Sequence, residues 1–270
     1  MRFTSLSSGS EGNALVVEAA AQAVTGAAGS SGGQRDCSRV LIDCGLPLKE
    51  MVRRLAERGL HPTDVDAIFV THEHSDHIGG VARFARAAEI PVYLSHGSRI
   101  ACSDEFWRGV HCVEVDSHAA FSVGSLTLQA FPVPHDAREP TQVVVSDPHH
   151  RLGVLTDTGK GTPHIGQMLS GCDGLFLEAN HDADLLHQSD YPAGLKARIA
   201  GPFGHLSNDD SADILRGLDQ SRLQSVIAAH LSRQNNTPEL VTAALTPALS
   251  RRVDFRVATQ VHGFDWITLC

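Results

Sequence analysis

Apolar residues recur along the chain in short β-branched runs, separated by stretches in which they fall three and four positions apart. Residues 14–18, 39–43, 67–70, 91–94, 126–131, 143–145, 152–156, 175–178, 226–229 and 255–258 carry the first pattern and read as strands. Ile78, Val81, Phe84, Ala85 and Ala88 carry the second and predict an amphipathic helix. Leu48, Met51, Val52 and Leu55, closed by Gly59, predict another before the strand at 67–70. Near the C-terminus Thr237, Pro238 and Glu239 supply an N-cap, a proline at the first helical position and a first-turn acid, leading into Leu240, Val241, Ala244 and Leu245. Strands and helices therefore alternate in mixed order, which predicts a layered α/β domain. Residues 19–33, rich in Ala, Gly and Ser, interrupt the pattern and are expected to form an extended hairpin loop with little to bind.

Length and composition narrow the class without naming a function. The 270 residues suffice to bury a core unaided, as one large domain or two small ones. With 42% apolar and 20% charged residues, disordered, collagen-like and disulfide-scaffold classes are excluded. A net charge of −9 leaves no evident basic surface, so a phosphate-rich substrate would need positive charge supplied locally. No run reaches the roughly 18 apolar residues of a membrane span and the N-terminus has no apolar signal segment, so a cytoplasmic location is expected. The six cysteines form no Cys-x-x-Cys pair, and reduced thiols are expected. The count that changes the picture is 16 His, the commonest metal ligand.

Three of those histidines lie together. The strand at 67–70 is followed by Thr71-His72-Glu73-His74-Ser75-Asp76-His77-Ile78-Gly79-Gly80, which packs three imidazoles and a carboxylate into six residues before a Gly-Gly turn into helix. These donors suit Zn²⁺, Mn²⁺ or Fe, and the lack of a nearby Cys argues against a thiolate site. His135, Asp157 and His230 each lie just past a later apolar run, where side chains can converge at one sheet rim.

The segment 71–80 resembles the signature of the metallo-β-lactamase fold hydrolases. The resemblance implies a four-layer αβ/βα sandwich, a single domain over 1–270 with a flexible insertion at about 19–36, and two divalent ions at one rim, zinc first and manganese second. Carried over, it gives His72, His74 and His135 to one ion, Asp76, His77 and His230 to the other, and Asp157 to both. Asp43, at a strand end, reads as a supporting residue.

The segments Leu177-Glu178-Ala179-Asn180-His181-Asp182, Gly204-His205-Leu206-Ser207 and His230-Leu231-Ser232 resemble the ribonuclease Z and phosphodiesterase branch. The openings Ser5 to Asn13 and Ile42 to Gly45, with Pro134 to Pro140 and Leu231 to Glu239, are closer to the small bacterial WalJ (YycJ) group. That likeness implies a metal-dependent nuclease, a DNA exonuclease acting 5′ to 3′, in which a hydroxide between the ions attacks phosphorus. Asp76 would orient it or take its proton, and His205 would donate to a phosphate oxygen or the leaving group. His181 and Ser207 are expected to meet substrate, and Arg138, Lys160, Lys196, Arg198 and Arg233 to line a track for nucleic acid. Two other readings stay open at this level: a hydrolase of small phosphodiesters, thioesters or lactones, and a binding protein that retains only the fold.

Overall fold

A computed structural model of the chain describes residues 1–20 and 36–270. Its first sheet begins with β1 (Arg2–Ser7), β2 (Ala14–Ala20), β3 (Cys37–Ile42), β4 (Ala67–Phe69), β5 (Val92–Leu94) and β6 (Cys112–Glu114). The second collects β7 (Ala120–Val123), β8 (Leu126–Pro132), β9 (Thr141–Ser146), β10 (Arg151–Leu155), β11 (Gly174–Glu178), β12 (Ser225–Ala229) and β13 (Asp254–Val257). The last strand, β14 (Phe264–Thr268), returns to pair with β1, so the two orders are β14-β1-β2-β3-β4-β5-β6 and β13-β12-β11-β10-β9-β8-β7.

The inner strands β4, β9, β10, β11 and β12 are buried on both faces, which is why they read as continuous apolar runs. In β3, Val40 and Ile42 face the second sheet while Leu41 faces helices, as the two-residue period of a strand requires. In β11, Phe176 joins the inter-sheet core and Leu175 and Leu177 join the helix-covered core behind it. Three apolar layers therefore separate four layers of structure, the αβ/βα sandwich expected from the sequence.

Strands β3 to β6 run parallel, as do β10 to β13, with antiparallel strands completing each sheet. Because β8 is antiparallel to β9 and β9 to β10, β8 points the same way as β10; β1 likewise points the same way as β3. The residues that follow β1, β3, β4, β8, β10, β11 and β12 thus leave at strand ends of common direction, where α/β proteins place their sites.

The structure corrects several expectations. The helix read over 78–88 is two, Ser75–Ile78 and Val81–Ala88, parted by Gly79 and Gly80. Val52 is exposed on the helix Leu48–Glu57, whose buried face is Met51 and Leu55. Ala19 and Ala20, assigned to the insertion, belong to β2 and pair with Ser38 and Cys37; the rest of that insertion, 21–35, lies outside the described residues. Strand β1 was not legible because its buried positions include Thr4, Ser5 and Ser7, whose hydroxyls bond to backbone carbonyls, Thr4 Oγ1 donating to Phe264 at 2.6 Å.

Candidate metal centre

The loop after β4 reaches the rim because a neighbouring segment lets it pass close. Cys44 N–H donates to the His77 carbonyl and Gly80 N–H to the Cys44 carbonyl, both at 2.8 Å. A Cβ at Gly45 would collide with the Asp76 carbonyl and one at Gly80 with the Leu46 carbonyl. The glycines thus serve close approach of two backbones, which fixes where Asp76 and His77 begin their short helix.

The expected ligands come together. Donor atoms of His72, His74 and His135 lie within 4.8 Å of one another, as do those of Asp76, His77 and His230. A third set, His72, His77 and Asp157, joins the two. At the junction, His72 Nε2 is buried without a hydrogen-bond partner, and Asp157 Oδ2, buried likewise, faces the His77 ring at 3.0 Å. Orphaned polar atoms of this kind cost about 1–3 kcal/mol each unless something fills the gap, and neutral imidazole beside carboxylate is the donor set of a divalent cation. The residues present fit two such ions.

Surrounding groups fix which ring nitrogen is free. His77 Nδ1–H donates to Asp43 Oδ2 at 2.8 Å and His135 Nδ1–H to the Gly204 carbonyl at 3.0 Å, which turns each Nε2 toward the centre. Asp43 also accepts from Thr71 N–H at 2.8 Å and from its hydroxyl at 2.9 Å, so it is a support for the loop, as expected. Asp43 and His230 both have positive φ, 60° and 55°, and His230 is clamped there by Ser8 Oγ on its N–H and Asn180 Nδ2 on its carbonyl.

Burial drives His72 well below the ordinary range, and the neighbouring rings add to this, so it is neutral and ready to ligate. Burial would lower His77 too, but Asp157, Asp76 and Asp43 override it and hold it well above. Three carboxylates around one buried ring make a strong local demand for positive charge.

His205 stands apart from the ligand sets by its partner. Its Nδ1 lies 2.7 Å from Glu178 Oε1 and 3.2 Å from Asp157 Oδ1, and although burial pulls it down, these acids push it up to about 10. Glu178 is fully buried at the end of β11 and was not assigned a role from sequence. An acid closing an otherwise apolar strand was the available signal. Glu178 and His205 also fall in a donor cluster with Asp157 and His230, but the direct His205–Glu178 bond marks them as a pair.

The centre opens into a cavity of about 290 Å³ lined by Ser10, His74, Ser75, Asp76, Asp157, Arg198, His205 and His230. Of the five expected track cations, Arg198 alone lines it; Arg233 pairs with Glu11 and Lys196 Nζ–H donates to the His187 carbonyl. His181 is buried and backbone-paired with Ser207. The Ser207 hydroxyl caps the helix Asn208–Gly217, accepting from Asp210 N–H and donating to Asp210 Oδ2.

This fold and donor arrangement define a metal-dependent hydrolase, and the chain belongs to the metallo-β-lactamase superfamily: the family model described as Beta-lactamase superfamily domain matches residues 38–230. Within it, the chain is 31% identical over 267 residues to exodeoxyribonuclease WalJ of Streptococcus pneumoniae, covering 95% of this chain and 93% of the relative. It is 30% identical over 277 residues to exodeoxyribonuclease YycJ of Bacillus anthracis, covering 98% and 96%. Among solved structures, Zn²⁺-bound PqqB from Methylobacterium extorquens superposes with a TM-score of 0.70 at 14% identity, and the short form of human tRNase Z with 0.64 at 16%, each covering both chains in full. Among the described residues no helix is long and apolar enough to cross a membrane.

Proposed function

We propose that this chain is a dinuclear metal-dependent exonuclease that hydrolyses phosphodiester bonds of DNA, proceeding 5′ to 3′, with zinc as the resident metal and manganese as a substitute. The observation that carries the reading is the Glu178–His205 pair set against Asp157 at the mouth of the cavity. His72, His74 and His135 would hold one ion, Asp76, His77 and His230 the other, with Asp157 between. Bound divalent ions supply positive charge to the phosphate oxygens and lower the pKa of water.

The chain's own residues do the rest. Glu178 holds His205 by Nδ1, so Nε2 is the nitrogen left to donate a proton to the departing sugar oxygen. Asp76 Oδ2 lies 3.3 Å from both His77 Nε2 and His230 Nε2, and its carboxylate borders the cavity where it can accept a proton from water. The acidic net charge is no obstacle, since two divalent ions bring four positive charges to the point of contact.

Metal analysis beside kinetics tests the assignment. His205→Ala should keep its metal and lose about 10²–10⁴ in turnover on end-labelled DNA, the usual worth of a positioned acid. His230→Ala should lose metal as well as rate. Wild-type turnover by His205→Ala, or a wild type that hydrolyses a thioester or lactone and no nucleic acid, overturns the reading.

A further inference from the structure

The helix Ala193–Ile199 has no buried residue, yet it stands at the rim of the catalytic cavity. Seven residues of backbone ordered without a buried side chain gain little from packing, which suits an element whose exposed groups have an external partner. Its last turn carries Arg198. That guanidinium is tethered by Nε to Asp136 Oδ2 at 2.5 Å, and its two Nη groups make no hydrogen bond among the described residues. It is therefore oriented, and it still offers a fork of donors beside the cavity.

The turn that follows is locked to the centre on two sides. Gly204 gives its carbonyl to His135 Nδ1–H, and a Cβ at Gly159, two residues past Asp157, would strike the backbone of Pro202 and Phe203. A Cβ at Gly204 would strike the carbonyl of Arg198. On this rigid turn, two residues before His205, Phe203 is 57% exposed, the only exposed phenylalanine among the described residues. A ring held in water on a turn that is otherwise fixed to the metal ligands gains nothing from the fold.

We propose that residues 193–204 form the grip for a single nucleic-acid strand, with Arg198 on a backbone phosphate and Phe203 stacked on the base of a nucleotide next to the scissile bond. This deepens the nuclease reading and rests on it. A guanidinium fork for phosphate and a planar ring for a base are the pair of contacts by which proteins hold single strands without reading sequence. The arrangement gives an acidic chain a guanidinium fork at the cavity for a polyanion, beside the charge that bound divalent ions would bring.

The test is steady-state cleavage of end-labelled single-stranded oligonucleotides, intact or carrying an abasic residue at the terminal or penultimate position. Wild type should discriminate against one of the abasic strands by roughly tenfold in KM, and Phe203→Ala should raise KM for the intact strand by that factor while no longer discriminating. Phe203→Trp should restore both. Arg198→Gln should reduce the slope of log KM against log salt by about 0.7, the share of one phosphate contact on a single strand. If Phe203→Ala leaves KM unchanged, or raises it equally for intact and abasic strands, the stacking role is wrong while the nuclease reading stands. A wild type that holds metal but cleaves no oligonucleotide overturns both.

Discussion

Asp43 shows how much of the centre rests on a residue outside the candidate ligand sets. In a left-handed conformation, φ 60°, its carboxylate accepts from Thr71 N–H, Thr71 Oγ1–H and His77 Nδ1–H. Asn tolerates the same backbone but must turn an N–H₂ group toward one of these donors. Asp43→Asn is therefore expected to fold, and to weaken metal binding by about 10- to 100-fold, measured by competition with a graded chelator. Unchanged metal affinity would show that His77 is held by other means. The candidate ligands were legible because four of them crowd into positions 72–77 just past β4, while His135, Asp157 and His230 each follow a later apolar run that carries them to a strand end. Glu178 and Asn13 were less so: Asn13 Nδ2 reaches His77 Nε2 at 3.0 Å from another part of the chain, and pairing across 64 positions leaves no local signature.

Local elements behave according to what crosses them, and glycine substitutions make this measurable. At Gly80 the Leu46 carbonyl occupies the place of a Cβ, whereas at Gly166, inside the helix Pro163–Leu169, nothing lies within 4 Å. The same change should have opposite signs. Gly166→Ala should stabilise by about 0.5–1 kcal/mol through helix propensity. Gly80→Ala must push residues 44–46 away from the segment that carries Asp76 and His77, and a loss of more than about 2 kcal/mol in thermal unfolding, with loss of metal, is expected. Equal effects would mean that the loop yields without cost. From sequence, Gly79 and Gly80 read as freedom to turn. The tight packing of Gly80 against residues 44–46 was hidden because it depends on a strand pairing, β3 with β4, that only the fold supplies. Apolar strands and the capped helix Pro238–Leu245, with Thr237 Oγ1 on Leu240 N–H, were legible for the opposite reason, since their signals are local.

For the whole molecule, the candidate centre lies at one rim shared by two sheets, and β2 and β3 are paired strands of the first sheet. Ala20 and Cys37 are partners in the β2–β3 ladder, so the ends of the connection between these strands are already held at the spacing of adjacent strands. A tight turn can close such a pair directly. Replacing residues 22–35 with Asn-Gly therefore keeps Ala20 opposite Cys37 and shortens the closed loop about fourfold, which lowers the entropy cost of closure by about 1.2 kcal/mol. We expect a melting temperature equal to or a few degrees above that of the full chain, and unchanged cleavage of DNA with unchanged metal content. A drop in melting temperature would mean that the removed residues bury surface against the sandwich. A rise in KM with the fold intact would place them among the groups that hold substrate, alongside the rim element at 193–204.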